Sequence, residues 1–226
     1  MGDTVKLTAD DKHSFDAYVA RPAEQPPLDQ PRAGLVIIQE IFGVNKHIRG
    51  VADSYAAEGY LAIAPALFDR VEPGIELGYD KEDVAEGRRL RSQLKWEEAL
   101  SDVSAAMGFL AGAGKVGVVG YCWGGSVAWL AACRLNPGAA VCYYGGNIHE
   151  CRNEQPSCRV MFHFGEEDSG IPMDQVKEIG AAHPQQELFT YPAGHGFNCD
   201  MRGSYHADSA ALARERTLAF LGRTIG

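Results

Sequence analysis

The chain has 226 residues, enough for one sizeable core and short for two. Apolar residues make up 46% and charged residues 23%, the balance of an ordinary globular domain rather than a disordered or fibrous chain. A formal net charge of -9 argues against nucleic acid as a partner, because binding phosphates needs clustered Lys and Arg.

Two short strands are expected first, over Thr4 to Thr8 and Phe15 to Ala20. The Pro-rich stretch from Arg21 to Arg32 reads as a loop. Gly34 to Gln39 is a continuous apolar run, typical of a strand buried on both faces. A helix over His47 to Glu58 follows, stopped by Gly59, and then a second buried strand over Tyr60 to Phe68. Asp69 to Asp80 is loop-like. Lys81 to Lys95 and Glu97 to Leu110 are expected helices. Lys115 to Gly120, Ala139 to Tyr144, Arg159 to Phe164 and Glu187 to Tyr191 supply the remaining strands. Helices are expected over Gly124 to Leu135, Pro172 to His183 and Ser209 to Leu221. Strands alternating with helices predict an α/β fold: one domain over 1–226, with a mostly parallel central sheet and helices on both faces. In such sheets the loops at the carboxyl ends of the strands carry the chemistry.

No stretch approaches the roughly 20 apolar residues that a bilayer demands, and no secretory pattern is visible at the N-terminus. Six cysteines without any Cys-x-x-Cys pair fit reduced thiols in a cytoplasmic chain. No membrane contact, cofactor or metal is expected: there is no dinucleotide fingerprint in the right context, and His195 with Cys199 lacks a second ligand pair.

The strongest local signal is Gly120-Tyr-Cys-Trp-Gly-Gly125. It fits the nucleophile elbow of α/β-hydrolases, with Cys122 where serine is commoner. A buried strand enters and a helical pattern leaves. The glycines remove side chains that would collide in so sharp a turn. A buried structural cysteine beside a glycine-rich turn is the plainer alternative. A nucleophile needs a base, and the base an orienting acid, in the chain order nucleophile, acid, histidine. His195, flanked by glycines after a late strand, is the candidate base; the other six histidines read as surface or packing residues. Asp168 is the candidate acid, with Glu166 and Glu167 as alternatives.

Three segments in order resemble the dienelactone hydrolase (carboxymethylenebutenolidase) family: Gln39-Glu-Ile-Phe-Gly-Val-Asn45, the Gly120–Gly125 turn, and Ala193-Gly-His-Gly-Phe-Asn198. The similarity runs from about Val19 to Leu221. It implies one compact α/β-hydrolase domain with little or no lid, and a triad of Cys122, Asp168 and His195. It also implies that Glu40 contacts the resting cysteine and swings away when substrate arrives. The oxyanion hole is expected from the backbone N–H groups of Trp123 and Ile41.

Family members that open dienelactones hold the substrate carboxylate with two arginines, and those positions are not matched residue by residue. Phe42, Arg88, Arg89 and Arg202 are the candidate substrate-binding residues; Arg91 lies close by. The mismatch favours a neutral or differently shaped substrate over a carboxylated dienelactone. The expected activity is hydrolysis of a small lactone or activated ester through an acyl-cysteine, by a monomer or small homo-oligomer. Thioester hydrolysis on the same triad, and a non-catalytic, oxidisable Cys122, are the competing readings.

Overall fold

Strand order decides where chemistry can sit in this protein. The computed structural model describes residues 2–23 and 31–226. Part of the expected Pro-rich loop, residues 24–30, lies outside them. Eight strands form one sheet: β1 (Asp3–Thr8), β2 (Ser14–Ala20), β3 (Gly34–Ile38), β4 (Leu61–Pro65), β5 (Val116–Tyr121), β6 (Ala139–Tyr143), β7 (Arg159–Gly165) and β8 (Glu187–Tyr191). Their spatial order is β1-β2-β4-β3-β5-β6-β7-β8. β1 and β2 pair antiparallel, as do β2 and β4; every pairing from β4 to β8 is parallel.

The helices are α1 (Lys46–Ala57), α2 (Lys81–Ser92), α3 (Trp96–Phe109), α4 (Trp123–Arg134), α5 (Met173–Ala182) and α6 (Ala207–Thr224). From β3 the chain steps outward to β4, then returns past β3 to β5. Right-handed crossovers therefore put α1 on one face of the sheet and α3 on the other. The crevice at that reversal, between the carboxyl ends of β3 and β5, is where ligands bind in open parallel sheets. Glu40 follows one of those strand ends and Cys122 the other.

The central strands are apolar throughout because helices cover both faces. β3 and β6 have no exposed residue, and Leu35, Val36, Ile37, Val118, Val119 and Val141 are wholly buried. The expected strand over Tyr60 to Phe68 is shorter in fact. It ends at Pro65, and Leu67–Arg70 turns into a short 3-10 helix. Proline has no N–H for a ladder bond, and Asp69 in the turn accepts the N–H groups of Asp16 (2.8 Å) and Gly74 (3.1 Å). Side-chain caps fix the starts of α1 and α2. Asn45 accepts the N–H of Ile48, and Asp80 and Asp83 form a reciprocal box at the start of α2.

Candidate active site

Cys122 sits between β5 and α4 with φ 55 and ψ -121, a region that L-residues rarely adopt. The flanking glycines make that turn feasible. A Cβ on Gly120 would lie 1.9 Å from the Gly124 oxygen, and one on Gly124 would lie 2.4 Å from the carbonyl oxygens of Ile38 and Gln39. The turn therefore packs backbone on backbone and lifts the thiol out of the sheet. Cys122 Sγ lies 3.1 Å from His195 Nε2, and His195 Nδ1 lies 2.7 Å from Asp168 Oδ2.

Each partner is held in turn. Asp168 is buried at the end of the loop that leaves β7, and its second oxygen accepts the Gly170 N–H at 2.9 Å. Glu166 and Glu167 are exposed, and Glu166 accepts the Thr190 hydroxyl instead. His195 follows β8, and Ser204 Oγ donates to its carbonyl at 2.7 Å. Burial opposes a charge on His195, but Cys122 beside it and the Asp168 hydrogen bond outweigh burial and push the imidazole up to about 10. Trp123 is the first residue of α4, so its N–H has no acceptor within the helix.

A cavity of about 430 Å³ opens over Cys122 and His195, walled by Ile41, Phe42, Trp123, Arg88, Arg91 and Arg202. Arg88 and Arg91 stand three apart on α2 and so share a face. That helix approaches closely enough that a Cβ on Gly87 would meet the Ile41 carbonyl oxygen at 2.1 Å. Arg89 points elsewhere. Half-exposed, it pairs with Glu86 and Glu72 and does not line the cavity. Its place is taken by Arg91, whose guanidinium lies 4.2 Å over the Trp96 ring and 5.3 Å over Trp123, with burial pulling its pKa down.

Glu40 is fully buried. It takes Arg202 Nη1 at 3.4 Å on one oxygen and the Tyr79 hydroxyl at 3.2 Å on the other. No hydrogen bond joins it to Cys122 among the described residues; its hydrogen bonds go to Arg202 and Tyr79. Arg202 also lies over the Phe42 ring at 5.6 Å.

A model of the Dienelactone hydrolase family matches residues 15–225. The chain belongs to that family. A Synechocystis protein assigned as a carboxymethylenebutenolidase is 37% identical over 202 residues, 80% of this chain and 82% of that one. The carboxymethylenebutenolidase of Pseudomonas putida is 34% identical over 233 residues, 98% and 96% of the two chains. A Klebsiella pneumoniae protein assigned as a dienelactone hydrolase superposes with a TM-score of 0.83 at 30% identity, over 98% of this chain and 99% of that one. The fold is that of the α/β-hydrolases, and the chain is a carboxylic ester hydrolase with a small-molecule substrate. Among the described residues, no helix is long and apolar enough to cross a membrane.

Within this family site, sequence reasoning overlooked Tyr79 and Tyr144. Tyr144 follows β6 with φ 38, its ring 5.1 Å from that of His195, and its buried hydroxyl meets no protein partner. A positive φ on a bulky residue leaves no mark in the sequence. A second grouping also went unread: Glu40, His47 and Cys199, all buried, bring one ligand atom each to within 4.8 Å of the others. Glu40 follows β3, His47 lies in the first turn of α1 and Cys199 comes from a loop more than 150 residues further on, a grouping that matches no ligand-spacing rule.

Proposed function

We propose that the chain opens a small lactone or cleaves an activated ester through an acyl-cysteine on Cys122, with His195 as the proton carrier and Asp168 as its orienting acid. The line of hydrogen bonds from Cys122 Sγ to His195 Nε2 and from His195 Nδ1 to Asp168 carries this reading. Asp168 accepts the Nδ1 proton and so aims Nε2 at the sulfur. Nε2 takes the proton of the Cys122 thiol, leaving a thiolate to attack, and the raised His195 pKa favours the charged ring that results.

The thiolate attacks the carbonyl carbon. A C–S bond forms while the carbonyl electron pair moves onto oxygen, where the N–H groups of Trp123 and Ile41 receive it. Collapse of this intermediate breaks the bond to the leaving oxygen, which takes the proton from His195 Nε2. In a lactone that oxygen stays tethered to the acyl chain, so the ring opens without losing a fragment. Neutral His195 then takes a proton from water as the water oxygen attacks the thioester. The C–S bond breaks, and the thiolate–imidazolium pair returns. Cys122→Ala should lower kcat/KM on an aryl ester at least about a thousandfold. Mass spectrometry with a slow ester should find the acyl group on the Cys122 peptide. Activity within about tenfold of wild type would remove Cys122 as the nucleophile.

The cavity wall revises the substrate expected from sequence. Arg88 and Arg91 face the cleft, and neither pairs with a carboxylate among the described residues. They favour a substrate that carries a carboxylate beside its lactone or ester. Arg91→Met should raise KM for a carboxylated lactone about tenfold or more, and much less for a neutral ester. Equal losses on both would mean that Arg91 merely supports Trp96 and Trp123.

A further inference from the structure

We propose that Glu40, His47 and Cys199 form a site for a thiophilic divalent cation of the zinc class, behind the catalytic cleft and separate from the Cys122 thiol. One nitrogen of His47, Cys199 Sγ and one Glu40 oxygen lie within 4.8 Å of one another, and all three residues are buried. His47 supplies the observation that points to a ligand. Its Nδ1 faces Asp200 Oδ1 at 3.3 Å, while its Nε2 is buried with no hydrogen-bond partner. Only 5% of that side chain is exposed. A buried ring nitrogen without a partner is costly for a fold to keep. An imidazole oriented by a carboxylate through one nitrogen, with the other free, is how histidine is presented to metals. Asp200 follows Cys199 directly, so one loop supplies both the thiol and the carboxylate that aims the ring.

The donor set selects the metal. Thiolate, imidazole and carboxylate together suit zinc, whereas magnesium and calcium take oxygen ligands. Zinc bonds of 2.0–2.3 Å put tetrahedral ligand atoms about 3.5 Å apart, so the three side chains need close by no more than about an ångström. Two contacts compete for Glu40: the Arg202 guanidinium at 3.4 Å and the Tyr79 hydroxyl at 3.2 Å. On binding, the Cys199 S–H bond breaks, an S–metal bond forms and the proton leaves to solvent; nothing is oxidised or reduced. The carboxylate and thiolate charges then balance the cation, which removes the need for Arg202 at Glu40. Access is available from a second cavity of about 520 Å³ beside α1 and α6, lined by His47, Asn198 and Asp200. With Arg202 released, the cation would alter the cleft, and substrate and cation would each change the other's affinity.

The test uses the whole chain carrying Cys122→Ala, so that the Cys122–His195 pair cannot supply the thiolate and the outcome is independent of the triad. Cobalt chloride is titrated in while the thiolate-to-cobalt charge-transfer absorbance is followed, and zinc chloride is then added to displace it. The expected result is one equivalent of cobalt with a charge-transfer band, displaced by zinc. The band should be lost when Cys199→Ser is added, and affinity should fall at least about tenfold with His47→Gln. Circular dichroism establishes that each variant is folded; should Cys199→Ser fail to fold, His47→Gln decides alone. No band in Cys122→Ala, a band that survives Cys199→Ser, or an affinity unchanged by His47→Gln overturns the proposal.

Discussion

At the residue scale, the strained Cys122 backbone and the high His195 pKa have one origin. The elbow holds the sulfur where the imidazole can lose or gain a proton against it, and that pairing keeps the ring charged despite burial. In Cys122→Ala, burial and Asp168 remain but the sulfur is gone, so the His195 pKa should fall from about 10 towards the ordinary 6.5. Imidazole resonances followed by NMR across the pH range measure this directly; an unchanged midpoint would mean that Cys122 does not hold the charge. Stability follows with a definite sign. A group whose pKa is raised on folding stabilises the fold fully below its unfolded value, and the contribution is lost as pH rises through the folded one. In wild type, urea-unfolding stability should therefore decline between about pH 6.5 and 10 because of His195, and that decline should be smaller in Cys122→Ala.

At the element scale, α6 is tied to the sheet by a buried polar network rather than by apolar contact alone. Thr217 Oγ1 lies 2.8 Å from Tyr143 OH and 3.0 Å from His163 Nε2, and His163 Nδ1 lies 2.8 Å from Tyr191 OH. Burial, helped by the nearby Arg216 charge, pushes the His163 pKa down to about 3, so the ring stays neutral and can accept as well as donate. Thr217→Val keeps the volume and removes the one hydroxyl that Tyr143 and His163 share, leaving both of those buried groups short of a partner. It should cost about 1–3 kcal/mol in urea unfolding; a loss under about 0.5 kcal/mol would mean that the network relaxes around the change. Sequence could read His163 only as a surface or packing residue, because the bonds it makes come from β8 and α6. The elements themselves were legible. Apolar runs without alternation marked β3, β5 and β6, and Gly59 marked the end of α1. What escaped was what depends on orientation. Helix spacing alone could not say which face of α2 turns to Ile41, so Arg89 was grouped with Arg88, where the fold brings in Arg91. Likewise, the end of β4 was set by Pro65 and the Asp69 turn, inside a stretch whose hydropathy looks uniform.

At the scale of the whole molecule, two electrostatic influences on an anionic substrate oppose each other. The chain carries a formal charge of -9, which repels an approaching carboxylate. The cleft wall presents Arg88, Arg91 and Arg202, only the last of them paired with a carboxylate, that of Glu40, and these arginines attract the substrate's carboxylate at close range. Salt separates the two by distance. Between 0.01 M and 0.1 M ionic strength the Debye length shrinks from about 30 Å to about 10 Å, so repulsion from charges spread over the surface is largely screened. Contacts made a few ångströms away inside a partly enclosed cavity are screened far less. For a carboxylated lactone, kcat/KM should therefore rise modestly over that range, while a neutral ester of similar size should hardly respond. With Arg88→Met and Arg91→Met combined, the rise with salt should persist because the distant repulsion remains, but from a much lower starting value because the local attraction is gone. Initial rates at several salt concentrations, on both substrates and both proteins, provide the measurement. A steep fall of kcat/KM with salt in wild type would mean that attraction by the cleft arginines extends well beyond the cavity and outweighs the net charge. A response shared equally by the neutral ester would trace the effect to the fold or the nucleophile rather than to the substrate's charge.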